Sequence, residues 1–227
     1  MIEHTAKLVW ITPEAEATMA YIARVSNPKN QQSKSLRLLE YCIEHGHWSV
    51  FEQAYASIEI KTIRAISAQI LRHRSFTFQE FSQRYSAVIS EDQSLPDQRL
   101  AGATNRQSSL PVNIDTITNK QMQALTDADS AISYAYECYE NLLDAGFATE
   151  TARFVLPLCS PTTLYMTGSI RSWLHYIELR SNNDTQEEHR VIAKAVAEIL
   201  EQHIPVTMAA WRRTHENNSD DSIEDET

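Results

Sequence analysis

Glycine is scarce in this chain of 227 residues: Gly46, Gly102, Gly146 and Gly168 are the four, and no two are close. A phosphate loop needs clustered glycines so that backbone N–H groups can wrap the anion, so both the GxGxxG fingerprint and the P-loop are excluded. Any nucleotide or flavin phosphate must be held largely by side chains. Cysteine is equally sparse. Cys42, Cys138 and Cys159 are odd in number and form no CxxC pair, which argues against a disulfide framework and a cysteine zinc site. Each is expected as a small buried apolar residue. No apolar run approaches the roughly 18 residues of a membrane span. The start, Met1-Ile2-Glu3-His4-Thr5, lacks the basic and apolar stretches of a signal peptide. The expected location is cytoplasmic, with no membrane partner.

Positive charge is also in short supply, 20 Lys and Arg against 30 Asp and Glu, for a net charge of −10 that disfavours nucleic acid as a partner. Its distribution matters more than its sum. Glu216 to Thr227 carries six acids and no base, and is expected to be a disordered, solubilising tail. The arginines gather instead at Arg72, Arg74 and Arg84, and again at Arg171 and Arg180. A locally basic site on an acidic protein suits a small anion better than a polyanion. Hydrophobic residues make up 42% of the chain, enough for a sizeable core.

The patterning is mostly helical. Thr12-Pro13 with Glu14 and Glu16 predicts a capped helix to about Val25. A second helix is expected from Ser33 to His45, with Leu36, Leu39 and Ile43 on one face and Gly46 as its stop. Ala54 to Lys61 alternates with period two and predicts a strand with one buried face. Thr62 to Arg72 places Ile63, Ile66 and Ile70 at helical spacing. A short strand is expected at Ser86–Ile89, then a polar loop over about 91–117. A long helix over Thr118–Ala145 ends at Gly146, and a short one over Thr149–Leu156 ends at Pro157. Leu164–Thr167 predicts a strand. Ser169–Leu179, Thr185–His203 and Pro205–Arg213 predict helices. The fold class is α+β, with helices packed around a small, mainly antiparallel sheet.

The chemistry concentrates in Arg72-His73-Arg74 and, eight positions after Arg74, Ser82-Gln83-Arg84-Tyr85. Alone, an Arg-His-Arg triplet is an ordinary solvated basic turn. Arginine nevertheless carries a permanent charge and a planar fork that pairs bidentately with phosphate, and the spaced pattern is specific. RHRSFTFQEFSQRY, Arg72 to Tyr85 with Glu80 before the serine, resembles the RHR-x7-S-x-RY signature of flavin-dependent thymidylate synthases. The family commonly has serine at Thr77 and asparagine at Gln79. Three further blocks match in order: HGHWSVFE (His45 to Glu52), Ala152-Arg153-Phe154-Val155-Leu156-Pro157, and Ser169 to Tyr176 with Leu179-Arg180. Gln53 and Asp184 depart from the histidines that relatives place there.

The resemblance implies a single domain over 1–214, followed by the acidic tail over 215–227. It implies synthesis of dTMP from dUMP, with 5,10-methylenetetrahydrofolate as carbon donor, NADPH as reductant, FAD as cofactor and tetrahydrofolate as product. It further implies a homotetramer whose sites are shared between subunits; no metal is expected, because His45 and His47 at a spacing of two face different ways and no carboxylate completes a set. By matching position, Ser49, Arg72, His73, Arg74, Glu80, Ser169, Arg171 and His175 would contact FAD. Gln69, Arg72, Glu80, Phe81, Ser82, Gln83, Arg84, Arg153 and Arg180 would hold dUMP, and His47 would shape the folate or flavin pocket. Arg180 is the candidate catalytic residue, since a guanidinium beside uracil stabilises its N3 anion and pushes electron density toward C5. The bland alternative for Arg180 is an ion pair with Glu178 or Asp184. Ser82 has only Glu80 and Arg84 nearby, neither a natural activator, so it is read as a positioning group rather than a nucleophile. Two other readings compete: a nucleotide or flavin sensor without turnover, which retention of Arg180, Arg84, Ser82 and Arg153 weighs against, and a nucleic-acid module, which the charge disfavours.

Overall fold

Tyr55–Ile63 and Pro161–Ser169, far apart in sequence, pair antiparallel over their whole length and form the centre of the protein. The computed structural model describes residues 3–88, 95–102 and 109–220. In chain order the elements are β1 (Thr5–Ile11), α1 (Ala15–Ala23), α2 (Arg37–Glu44), β2 (Tyr55–Ile63), α3 (Arg64–Ile70), β3 (Thr77–Glu80), β4 (Arg99–Ala101), β5 (Ser109–Pro111), α4 (Asn119–Asp144), α5 (Thr149–Ala152), β6 (Pro161–Ser169), α6 (Ile170–Arg180), α7 (Glu187–His203) and α8 (Pro205–Asp220). The main sheet runs β1-β2-β6-β3, every pair antiparallel; β4 and β5 form a separate ribbon. This is the α+β arrangement expected from the sequence.

The sheet buries one face. Ala56, Ile58 and Ile60 of β2 and Leu164 and Met166 of β6 are solvent-free, and helices cover them with Met19, Leu39, Trp173, Tyr176, Ile192, Val196 and Leu200. Trp173 is fully buried and its indole N–H donates to Ala56 O at 3.1 Å, so the largest core side chain also leaves no polar atom unpaired. The opposite face is polar, with Tyr165 Oη donating to Glu59 Oε2 at 2.7 Å and Thr167 Oγ1 to Ser57 Oγ at 2.9 Å. A smaller cluster of Val88, Tyr136, Tyr139 and Ala152 seats α4, with Tyr136 Oη donating to Ser160 Oγ. The long helix begins as its sequence predicts: Thr118 and Gln121 form a reciprocal capping box. Gly46 and Gly146 take left-handed φ values of 68° and 86° just past α2 and α4.

Several boundaries differ from expectation. Thr12 does not cap α1; its hydroxyl accepts from Tyr55 N, and Glu14 precedes the helix with φ 47°. Thr62 and Ile63 belong to β2, opposite Thr162 and Pro161, so α3 starts at Arg64 and ends before Arg72. Ser86–Val88 form no strand, because Tyr85 N and Ser86 N both turn back to Ser82 O; Ile89 lies outside the described residues. The fourth strand is β3 instead. The segment expected as a loop contains β4 and β5, with 91–94 and 103–108 outside the described residues. At the other end α8 continues to Asp220, past the tail boundary expected at 215. No helix among the described residues is long and apolar enough to cross a membrane.

Gly168 holds the segment after Arg72-His73-Arg74 against the sheet. A Cβ there would stand 2.4 Å from the Phe76 ring, which meets Trp173 edge-on with centroids 4.7 Å apart. A methyl group would displace that ring from a close-packed core. Gly168→Ala is expected to cost about 1–3 kcal/mol, and each kcal/mol lowers Tm by about 2–4 °C in a chain of this size. Calorimetry checks it, and an unchanged Tm would contradict the close approach.

Candidate active site

The last turn of α6 presents Arg180, and the turn after α3 brings His73 back to meet it. Arg180 Nε donates to His73 Nε2 at 3.0 Å. The acceptor role requires a neutral imidazole. Burial, then the Arg180 charge, then His175 push His73 down from 6.5 to about 4. Tyr176, one turn before Arg180, stands edge-on to His73 at 5.0 Å. Its hydroxyl lies 3.1 Å from His189 Nε2, and His189 Nδ1 lies 3.3 Å from Gln69 Oε1. Burial raises the Tyr176 phenol well above its usual range, although Arg180 pulls the other way. His189 is forced down to about 3 by burial and by the charges of Arg180 and His73. Gln69 Nε2 donates to Gln186 Oε1 at 2.7 Å.

Gln69 and Arg180 share the wall of a cavity of about 770 Å³ with Asp184, Thr185, Gln186 and Arg190. Its far side is the β4–β5 ribbon. Arg99 ties that ribbon to α7, with Nη2 2.8 Å from Glu188 Oε1 and Nη1 3.6 Å from Glu187 Oε2. The size is that of a ligand pocket.

A second cleft of about 930 Å³ opens on the other side of the same turn, lined among others by Trp48, Ser75, Arg171, Ser172, His175, Trp211 and His215. Arg171 Nη1 pairs with Glu52 Oε1 at 2.5 Å. Glu178 lies between two histidines, His175 (3.6 Å) and His215 (3.3 Å), and the His215 ring lies tilted against Trp211 with centroids 4.3 Å apart. Ser172 Oγ donates to Ser75 O, joining α6 to the turn. A guanidinium, hydroxyls and the half-buried Trp48 indole in one open cleft form a donor set and an aromatic edge that fit a dinucleotide such as FAD.

A third group surrounds β3. Glu80 Oε1 accepts from Ser67 Oγ at 2.5 Å and from Thr162 Oγ1 at 3.0 Å. Arg64 Nη1 sits 2.7 Å away, an ion pair whose angle is too bent for a hydrogen bond. All three press on one oxygen. Just beyond, Ser82 to Ser86 form a tight turn that exposes Arg84, whose Nη2 is 3.4 Å from Glu150 Oε2; Arg153 Nε donates to Glu150 O. Gln83 is buried, and its Nε2 has no protein partner.

Sequence comparison decides what these groups belong to. The profile of the thymidylate synthase complementing protein family matches residues 7–206. A probable flavin-dependent thymidylate synthase of Paramecium bursaria Chlorella virus 1 is 47% identical over 212 residues, 88% of this chain and 95% of its own. A flavin-dependent thymidylate synthase of Synechocystis sp. is 44% identical over 196 residues, covering 86% and 88%. The chain belongs to the flavin-dependent thymidylate synthase family. Its fold also resembles a solved UMP/dUMP methylase, PolB, from Streptomyces cacaoi bound with 5-Br UMP, with a TM-score of 0.78, 26% identity, and 94% and 95% of the two chains covered.

Within this flavin-dependent thymidylate synthase fold, the expected site residues fall into the three groups. Gln69, His73 and Arg180 meet at the first cavity; Arg171 and His175 line the second cleft, with exposed Ser49 beside its Trp48. Glu80, Phe81, Ser82, Gln83 and Arg84 follow one another along β3 and its turn, with Arg153 joining through Glu150. Arg72 and Arg74 are exposed on the turn flanking His73. The Ser169 hydroxyl is spent as the cap of α6, accepting from Ser172 N. The ion pair weighed for Arg180 is replaced by His73. His47 is exposed and meets Tyr41 edge-on, while His45 stacks on Tyr41 and contacts its carbonyl.

Sequence reasoning missed Tyr176, Gln186 and His189, and the helper groups Arg64, Ser67 and Thr162. One signal was available: His189 lies on the buried stripe of α7 with Ile192, Ala193 and Val196, where a histidine needs a reason.

His73 and His189 both resist protonation. Below pH 6.5 the unfolded chain binds protons that the folded protein refuses. Stability is therefore full above 6.5 and falls as pH drops, until His73 itself titrates at about 4 and His189 at about 3. The Tm of His73→Asn should fall less steeply than that of the parent between about pH 7 and about pH 5. Thermal unfolding across buffers tests this; parallel slopes would contradict the neutral assignment.

Proposed function

We propose that this chain methylates dUMP reductively to dTMP, with 5,10-methylenetetrahydrofolate as carbon donor and NADPH as reductant through bound FAD, releasing tetrahydrofolate. The observation that carries the reading is the Arg180 guanidinium, held by a neutral histidine at the wall of the cavity it shares with Gln69, in a member of this family. Its Nε is engaged by His73, which orients the plane and leaves the Nη groups for a ligand. A neutral acceptor adds no charge of its own. The full positive charge is thus available to stabilise an anionic uracil and to enrich C5 in electron density.

Phosphate is assigned to Arg84 and Arg153, with Ser82 and Gln83 supplying uncharged donors; the 3.4 Å contact of Arg84 to Glu150 is loose enough to exchange for an anion. Glu80, with one oxygen saturated by chain partners, offers the other between nucleotide and cofactor. FAD would be held by Arg72, Arg74, Arg171 and His175 along the second cleft, with Ser49, His73 and Ser169 contributing shape or orientation, and His47 would border the pocket. When bound, FAD supplies the reducing equivalents. A homotetramer with sites shared between subunits belongs to the same reading. It suits the exposed Met122 and Tyr134 on α4. Function in the cytoplasm, as a single domain with a short acidic end, completes the proposal.

The test is turnover. Purified protein loaded with FAD should convert dUMP to dTMP when given NADPH and methylenetetrahydrofolate, with UMP run in parallel. Failure to bind any flavin would refute the reading, and a flavin-loaded protein without turnover would make it a sensor. Arg180→Ala should lower kcat by about 10²–10³-fold while flavin absorbance is largely kept. Wild-type turnover in that variant would remove Arg180 from the chemistry.

A further inference from the structure

His189 has no exposed surface, yet it carries two polar nitrogens into the apolar stripe of α7. Burying them unpaired would be costly. Both are used: Nε2 lies 3.1 Å from the Tyr176 hydroxyl and Nδ1 lies 3.3 Å from Gln69 Oε1. A neutral imidazole has one donor and one acceptor. Gln69 Oε1 can only accept, so Nδ1 carries the hydrogen, and Tyr176 must donate to Nε2. The Tyr176 phenol, able to donate or accept, donates here, and with Nε2 so satisfied the Nδ1–H is directed at the oxygen end of the Gln69 amide.

Gln69 is then held at both ends. Its oxygen receives His189, and its nitrogen gives one hydrogen to Gln186 Oε1 at 2.7 Å. One hydrogen and one lone pair remain on a carboxamide that lines the same cavity as Arg180. Without His189 the amide keeps only its bond to Gln186, itself a carboxamide that can turn together with it, so the orientation is no longer fixed.

We propose that His189 is a positioning residue for nucleotide binding, which fixes the Gln69 carboxamide in one orientation by donating Nδ1–H to its oxygen while Tyr176 donates to Nε2. The proposal rests on the assignment of Gln69 to the nucleotide. It distinguishes His189 from a core residue that merely fills volume, because its influence on dUMP must pass through Gln69.

A double-mutant cycle on the FAD-loaded full chain tests it, reading the dissociation constant for dUMP together with flavin content and Tm. Gln69→Ala is expected to weaken dUMP. His189→Leu should weaken it about tenfold, the scale of one oriented hydrogen bond. His189→Asn, whose amide nitrogen takes the place of Nδ1, should restore most of the affinity. On the Gln69→Ala background, His189→Leu should add nothing. Tyr176→Phe, which keeps the ring and its packing, should weaken dUMP in the parent and not in Gln69→Ala, and it serves where His189→Leu does not fold. Equal losses in both backgrounds, or no loss in the parent, would overturn the proposal. An unchanged dUMP affinity in Gln69→Ala would instead remove Gln69 from the nucleotide site, and the inference with it.

Discussion

The site hangs on one hydrogen bond that can exist in only one protonation state. Arg180 Nε can donate to His73 Nε2 only while that nitrogen keeps its lone pair. Burial enforces this, and the guanidinium's own charge adds to it, driving the proton off the imidazole. Histidine and arginine thus stabilise each other's useful form: one stays neutral, the other stays fixed. Tyr176 beneath the pair and His189 behind it extend the same logic into the core, where every polar atom has to be answered by another.

That bond in turn needs the turn after α3 to lie against the sheet, a matter of packing rather than charge. Phe76 occupies the space that a side chain at Gly168 would fill, and Trp173 closes the ring from the other side. The helix that carries Trp173 also carries Tyr176 and Arg180. Core and site therefore share one rigid element, and the reactive guanidinium inherits its precision from the indole buried two turns earlier.

Elements written in local pattern were legible in the sequence. The alternation of β2 and the Thr118–Gln121 cap of α4 appear where expected, and so do the family blocks. β1 was not legible, because a bulge between Leu8 and Trp10 leaves Val9 unpaired and breaks the period of two. β3 hid inside a stretch read for its chemistry, with Thr77 and Gln79 outward and Glu80 directed at chain partners. The candidate ligands were visible as residue types, but their company was not. His73 meets Arg180 across 107 positions, and Gln69 meets His189 across 120. No spacing rule reaches that far, so the tautomer relay emerges only once the fold is built.

The pairing of β2 with β6 has a consequence in time. One edge of β2 finds β1 early, but the other must wait for a strand made roughly 100 residues later. At translation speeds of about 5–20 residues per second, that edge stays open for about 5–20 s. Its residues, Ala56, Ile58 and Ile60 among them, are the apolar kind that seek any free strand. The newborn chain therefore passes through an interval in which a central strand of its sheet is half-paired, until Pro161–Ser169 arrives.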